Sequence, residues 1–302
     1  MISPKIITLL SVVFVLLVIA TILSRYYQKS EIITRVNSWW VMVIIFSIAT
    51  LINETTAIVF FALLSFLALK EYFTITPTRR TDRRIIFWAY LSIIGQYYFV
   101  AIGWYGLFVI WIPVYMFLFL PFRQILIGQT DGFIENTAKV QWGMMLFVFS
   151  LSHMAQLLTL QKPLSGEDIR GIELLFFLVF ITQSNDILQF LWGKSMGKRP
   201  IVPKISPNKT VEGLLGAMVS TALLALLMRF LTPFDIYQAL LVGALISLIG
   251  FIGDVVVSMI KRDVGIKDSS NLIPGHGGIL DRVDSLTFTA PLFFHYVYYL
   301  YY

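Results

Sequence analysis

Asp254, Ser258 and Lys261 lie at spacings of four and three residues in this 302-residue chain, which brings all three to one face of a helix. A polar run follows: Lys267, Asp268, Ser269, Ser270 and Asn271, then Pro274-Gly275-His276-Gly277-Gly278. Asp281 and Asp284 come next, with Arg282 between them. Residues three apart on a helix are neighbours, so these two carboxylates point the same way. Hard carboxylate oxygens suit Mg²⁺, which usually takes one or two carboxylates together with substrate phosphates. Glycines let a backbone approach closely and free its N–H groups for an anion. Residues of these types at these spacings point to phosphate chemistry assisted by a divalent cation.

A second polar stretch lies upstream. Asn185-Asp186 interrupts the apolar run 172–192, and Gly193-Lys194 and Gly197-Lys198 follow. The run Pro203-Lys204-Ile205-Ser206-Pro207-Asn208-Lys209-Thr210-Val211-Glu212-Gly213 completes it. Acids placed within membrane spans are functional candidates by default. Simpler readings stand beside this one. Asp254 could cap a helix or pair with Lys261, and Asp281 could be a helix-start acid favoured by the dipole. Lys204, Lys209 and Lys267 could be positive anchors, and His276 could be inert in an exposed loop.

The elements that must position these residues are membrane helices. The chain is 58% hydrophobic and only 13% charged, against about 25% charged for a soluble domain. Mean hydropathy is +0.80. A span needs about 20 apolar residues. Ten candidates meet that requirement: 6–24, 38–54, 55–69, 85–102, 104–120, 141–160, 172–192, 213–231, 236–257 and 286–302. Nine is the alternative if the second and third merge or the Gly103 turn does not separate two spans. The expected fold is therefore all-α and polytopic, with an N-terminal helical region 1–169 and a C-terminal catalytic region 170–302. The first run reads as an uncleaved anchor.

With ten spans, the loops 25–38, 70–84, 121–140, 193–212 and 258–285 share one face. That face holds 19 of the 23 Lys and Arg residues, and Lys5, Lys162, Arg170 and Arg229 occupy the other. The positive-inside rule makes the rich face cytoplasmic. The basic residues thus report orientation, and no nucleic-acid partner is expected. Arg79-Arg80 and Arg83-Arg84 read as topology anchors that touch anionic headgroups. His153 and Gln156 are expected to make interhelical hydrogen bonds, and the tyrosines at 298–302 an interfacial belt. The chain contains no cysteine, which excludes disulfides and Cys-based metal sites.

The stretch 258–284 resembles the phosphatidate cytidylyltransferase, or CDP-diglyceride synthetase, family. That family's pattern S-x-x-K-R-x4-K-D, P-x-H-G-G and D-R-x-D is met by Ser258, Lys261, Arg262, Lys267, Asp268, Pro274, His276, Gly277, Gly278, Asp281, Arg282 and Asp284. The 203–213 stretch matches P-K-I-S-P-x-K-T-x-E-G. The N-D element is followed by Gln189-Phe190, where many members carry Ala and then an aromatic residue.

The resemblance implies transfer of CMP from CTP to phosphatidate, giving CDP-diacylglycerol and pyrophosphate, at the cytoplasmic face of a bacterial plasma membrane. It implies Mg²⁺ on Asp254, Asp281 and Asp284, with room for a second cation. Lys261, Arg262, Lys267 and Asp268 would belong to the catalytic set. Substrate contacts would come from Asn185, Asp186, Lys204, Ser206, Lys209, Thr210, Glu212, Ser258, His276, Gly277, Gly278 and Arg282. A homo-oligomer is left open. The competing readings are a CTP-dependent polyprenol or lipid kinase and a membrane transporter. The full K-D, H-G-G and D-R-x-D set disfavours the kinase. Confinement of the polar signal to the C-terminal half and to one face, without paired broken-helix repeats, disfavours the transporter.

Overall fold

A computed structural model describes residues 3–28, 30–79, 83–160 and 169–302. Lys29, Arg80 and Lys162, counted above in the charge asymmetry, lie outside the described residues. The described chain is almost entirely helical. Its helices are α1 (Pro4–Tyr27), α2 (Ser30–Leu51), α3 (Glu54–Ile75), α4 (Arg83–Ala101), α5 (Tyr105–Ile110), α6 (Phe117–Ile125), α7 (Phe133–Met144), α8 (Leu151–Leu158), α9 (Gly171–Met196), α10 (Val211–Leu227), α11 (Ile236–Asp263) and α12 (Leu280–Tyr301). A π-helical turn, Trp111–Met116, joins α5 to α6, and another, Met145–Ser150, joins α7 to α8. Pro113 within the first turn has no N–H to give, which favours a local widening of the helix. The result is ten helical rods, one for each candidate span.

Six helices are long and apolar enough to cross a membrane by length and composition: α1, α2, α3, the continuous rod Tyr105–Ile125, α9 and α11. The α10 helix is apolar but shorter. The protein is an all-α, polytopic membrane protein. Its exterior carries Phe14, Ile19, Val59, Leu63 and Leu223, each about half exposed or more, where lipid tails replace water as the surroundings. Inside, Phe61, Phe147, Phe177, Phe293 and Phe294 are fully buried in one continuous core.

Side chains at the helix starts fix where several rods begin. Asn53 accepts from the Thr56 amide at 2.7 Å. Asp235 and Gln238 form a reciprocal capping pair at the start of α11, with bonds of 2.8 and 2.9 Å. Each satisfies amides that the first turn leaves without a partner. His153 makes the interhelical contact expected of it, its Nε2 lying 3.3 Å from Nε2 of His295. Gln156 instead donates to Thr159, just past the end of its own helix.

The structure differs from the sequence expectation at three boundaries. The α2 helix begins at Ser30, not near 38, so Arg35 lies on a helix and not in a loop. Hydropathy stops at Glu31 and Arg35, but the helix continues because this polar end has a partner: Ser38 Oγ donates to the Pro274 carbonyl at 2.7 Å. The α9 helix runs on to Met196, and the remainder of the 193–212 loop is a small antiparallel hairpin, β1 (Pro200–Val202) with β2 (Ser206–Thr210), pairing Pro200 with Thr210 and Val202 with Ser206. Finally, α11 extends to Asp263, so Ser258, Lys261 and Arg262 are helical.

The hairpin and the 264–279 loop occupy the same end of the bundle, since Arg262 Nε donates to the Ile205 carbonyl at 3.0 Å. The turn between α2 and α3 lies at the other end. Because the chain has no native cysteine, single cysteines report sidedness cleanly. Lys204→Cys at the exposed hairpin tip and Ile52→Cys at the α2–α3 turn are expected to react with an impermeant maleimide from opposite sides of the membrane. Labelling of both from one side would overturn this arrangement.

Candidate active site

The sequence places Asp254 and Lys261 on one face of α11, and the fold gives each a partner from elsewhere. Lys209, from the hairpin, forms an ion pair with Asp254 through Oδ2. Lys209 Nζ also donates to Gln189 Oε1 at 3.3 Å and lies 5.2 Å from the centre of the Phe251 ring. Ser258 Oγ donates to the other Asp254 oxygen at 3.2 Å, one turn along α11. Lys261 pairs with Asp281 of α12, Nζ to Oδ1 at 2.6 Å, and both groups are buried. A pair removed from water in this way is held tightly, because freeing either member would leave an uncompensated charge.

Asp281 is fully engaged. Its Oδ2 accepts from the Ser269 amide, the Ser269 hydroxyl and the Gly278 amide, each at 3.0 Å. The Gly278 amide, a candidate phosphate donor by sequence, is therefore turned onto Asp281. Gly277 has φ +79° and Gly275 +72°, the left-handed region that side chains disfavour. A Cβ on Gly278 would lie 2.1 Å from Ser269 Oγ and 2.3 Å from Glu71 Oε2. The glycines are thus demanded by close packing of the loop against two carboxylates.

Glu71, near the end of α3, is the residue that sequence reasoning missed. Its Oε1 accepts from Ser270 Oγ at 2.8 Å and the Ile279 amide at 3.1 Å. Its Oε2 accepts from the Leu280 amide at 2.9 Å and Ser269 Oγ at 3.0 Å. One carboxylate from the N-terminal region therefore caps α12 and holds the loop that carries Asp281. A negative group at a helix N-terminus is favoured by the dipole. The only sequence signal was an acid close to the end of an apolar span, in a segment without motif. The α2 helix adds the Ser38 contact, and the Trp39 ring lies 5.8 Å from that of His276. Burial, with the neighbouring Arg282 and Arg35 charges, pushes the His276 imidazole below its ordinary pKa and favours its neutral form.

The hairpin is held from below. Glu212 accepts from the Lys198 and Arg199 amides at 3.0 and 3.1 Å through Oε2, and from Arg199 Nε at 3.0 Å through Oε1. Thr210 caps α10, its Oγ1 accepting from the Gly213 amide at 3.1 Å. Glu212 and Thr210 thus shape the hairpin that presents Lys209. Arg262 latches the hairpin to α11, as described above. Lys204, Lys267 and Asp268 are exposed, and Ser206 is half-buried, so these four line the rim and not the centre.

Deeper in the bundle, Asn185 Oδ1 accepts from Thr221 Oγ1 at 3.3 Å. Asp186 Oδ1 accepts from Ser285 Oγ at 3.0 Å, and Asp284 Oδ1 from the Ser285 amide at 2.8 Å. Asp186, Asp254 and Asp284 act electrostatically on one another, with Lys209, Lys261 and Arg282 as the cations that offset them. Arg282 Nε is buried without a hydrogen-bond partner. Gln189, marked in the sequence only as a departure from the family pattern, and Ser285, not singled out there, support Lys209 and Asp186. Among the described residues, no group of three His, Asp or Glu side chains stands ready to hold a metal ion. The donor chemistry nevertheless fits Mg²⁺, which commonly completes its shell with water and phosphate oxygens.

Among the described residues, ten helical rods with acids and cations gathered at one end define a polytopic membrane protein with a charged cluster at that end. The cytidylyltransferase family profile matches residues 33–300. The chain is 44% identical over 299 residues to the Escherichia coli (strain K12) protein described as "Uncharacterized protein YnbB", covering 96% of this chain and 97% of that one. It is 41% identical over 129 residues to the phosphatidate cytidylyltransferase of Bacillus subtilis (strain 168), and 40% identical over 124 residues to that of Staphylococcus haemolyticus (strain JCSC1435). These two matches cover 42% and 40% of this chain, and each spans only 48% of the relative's length. The chain belongs to the cytidylyltransferase family. It is a membrane-bound nucleotidyltransferase.

Glu71 offers a direct check of the geometry. Removing it leaves two backbone amides and the Ser270 hydroxyl without their acceptor, and hydrogen bonds to a charged group contribute about 1.5–3 kcal/mol each. Glu71→Ala is expected to lower the melting temperature of the detergent-solubilised protein by several degrees, and Glu71→Gln by less, since its one remaining carbonyl oxygen keeps part of the set. Equal melting of wild type and Glu71→Ala would show that α3 does not hold the loop.

Proposed function

We propose that the chain transfers CMP from CTP to phosphatidate, releasing pyrophosphate and forming CDP-diacylglycerol. The observation that carries this reading is the gathering of Asp186, Asp254 and Asp284 beside Lys209, Lys261 and Arg282 where hairpin and loop meet. Such a set suits two polyanions that must be brought together. Support for the acceptor comes from the relatives named phosphatidate cytidylyltransferase. The reading puts the site at the cytoplasmic face of a bacterial inner membrane, where CTP is available; the asymmetry of basic residues and the bacterial relatives support that orientation.

A phosphatidate oxygen forms the new bond to the α-phosphorus of CTP, and the bond from that phosphorus to the bridging β-phosphate oxygen breaks. The electron pair leaves with pyrophosphate. A phosphomonoester has its second pKa near 6, so the nucleophile is largely ionised at neutral pH and needs no general base. The chain's contribution is positioning and charge neutralisation. Lys209 directs hydrogen bonds to Asp254 and Gln189, which fixes the ammonium while a third N–H stays available for a phosphate oxygen. Lys261 is oriented in the same way by Asp281. The unpartnered Nε of Arg282 offers a further donor. Lys204, Ser206, Lys267 and Asp268 at the rim meet the nucleotide as it enters. Asp254 and Asp284, with Asp186 beside them, would hold Mg²⁺, which would supply neutralisation of the triphosphate; the third carboxylate would leave room for a second cation. Asp281, which pairs with buried Lys261 and accepts two backbone amides of the loop, serves this reading by holding Lys261 and the loop.

The test is an assay of purified protein with CTP labelled separately at the α- and γ-phosphates. Label from the α-position is expected in a phosphatidate-derived lipid; γ-label in a lipid alcohol would select the kinase, and no lipid product would reject both. Chelation with EDTA is expected to abolish turnover, with recovery on adding Mg²⁺. Lys209→Met and Asp254→Asn are expected to cost about 10²–10³ in rate, the typical loss when a preorganised charge-stabilising group is removed. Arg25→Met, at an exposed helix end, should stay within about tenfold of wild type, since a surface anchor contributes about 1 kcal/mol of membrane attraction. If Lys209→Met behaved like Arg25→Met, the lysine would belong to orientation and not to the site.

A further inference from the structure

Away from the catalytic cluster, an open cavity of about 450 Å³ lies between α4 and α6, lined by Arg83, Arg84, Phe87, Trp88 and Arg123. Neither helix supplies a residue to the cluster described above. Among the described residues the lining contains three guanidinium groups and no carboxylate. Like charges gathered in one recess repel, and repulsion is stronger where water is partly excluded. Arg83 and Arg84 also occupy the first turn of α4, where the helix dipole disfavours cations. An anion in the cavity would relieve both costs.

Arg123 is already arranged to receive one. Its guanidinium lies 5.6 Å from the centre of the Trp88 ring. Its Nε is buried and has no hydrogen-bond partner. A buried donor without a partner costs about 1–3 kcal/mol, so a native structure that keeps one invites a ligand oxygen. Stacking on an aromatic face leaves the planar edge of a guanidinium free for paired hydrogen bonds to phosphate.

The surroundings identify the source of that phosphate. Phe87, Leu118, Phe122 and Ile125 are 61%, 65%, 56% and 63% exposed, so apolar side chains flank the charged recess on the lipid-facing surface. The α4 helix starts at the end of the bundle where Glu71 of α3 meets the loop before α12. The recess is therefore at the membrane boundary on the active-site side. Basic pockets between membrane helices at such a boundary bind anionic lipid headgroups. We infer that Arg83, Arg84 and Arg123 form a second, non-catalytic site for the phosphate of an anionic membrane phospholipid, with its chains lying along Phe87 and Phe122. The site does not depend on which acceptor the catalytic centre uses.

The experiment measures retention of lipids by the purified full-length protein, using native mass spectrometry in detergent. The probes are phosphatidylglycerol, phosphatidylcholine and inorganic phosphate. Wild type is expected to retain phosphatidylglycerol over phosphatidylcholine, and millimolar inorganic phosphate should not displace it. Arg123→Gln and the double variant Arg83→Gln/Arg84→Gln should each lose at least about fivefold of that preference, the contribution of one basic group at a membrane surface. Arg123→Lys should lose part of it, since an ammonium cannot make the planar paired contact. Lys194→Gln, another basic residue at this end, should retain full preference. Turnover at saturating substrate should be unchanged in the Arg123 variants, which also reports that they fold. Equal preference in Arg123→Gln and wild type, or an equal loss in Lys194→Gln, would overturn the site. Displacement by inorganic phosphate would assign it to a free anion and overturn the lipid.

Discussion

A carboxylate at the end of an apolar bundle has little water to solvate it, so the protein must supply the compensating charge or hydrogen bonds. That constraint organises everything around the site. Asp254 is met by Lys209 and Ser258. Asp281 is met by Lys261, Ser269 and the Gly278 amide. Glu71 is met by two serines and two backbone amides. Each acid takes at least one partner from another segment, so satisfying the charges is also what assembles the segments.

The consequence is a site stitched across the whole chain. The hairpin reaches α11 through Lys209 and Arg262, α11 reaches α12 through Lys261, and the loop between them is tied to α2 and α3 through Ser38 and Glu71. The motif-poor sequence of α2 and α3 does not look catalytic, yet these two helices form the wall against which the loop before α12 is laid. Close approach there leaves no space for a Cβ at Gly278. The loop's glycines are a packing requirement before they are anything else.

For the proposed transfer between two polyanions, this economy has a chemical meaning. Cations fixed by acids keep their orientation without substrate, and so need little reorganisation when a phosphate arrives. Lys209 and Lys261 are each anchored by one carboxylate while retaining further N–H groups. The proposed function assigns a divalent cation to Asp254 and Asp284, with Asp186 beside them, on donor chemistry.

Much of this was legible in sequence. Apolar runs gave ten helical rods because the bilayer's thickness sets a length that composition alone reveals. The polar spacings from Asp254 to Asp284 and from Lys204 to Glu212 marked the segments that meet at the site. Boundaries such as the early start of α2 were not legible, since a polar helical turn is stabilised by a contact with Pro274 more than 200 residues away. Pairing was not legible either. Lys261 shares a helix face with Asp254, but its partner is Asp281, and Asp254 takes Lys209 from the hairpin. Glu212 and Thr210 fall within a motif yet hold the hairpin together, while Glu71 falls in none and holds the catalytic loop. The sequence by itself determined which residues carry charge and which segments lie in the membrane. Only the tertiary structure decided which charge neutralises which, because that depends on distances between helices that no local spacing encodes.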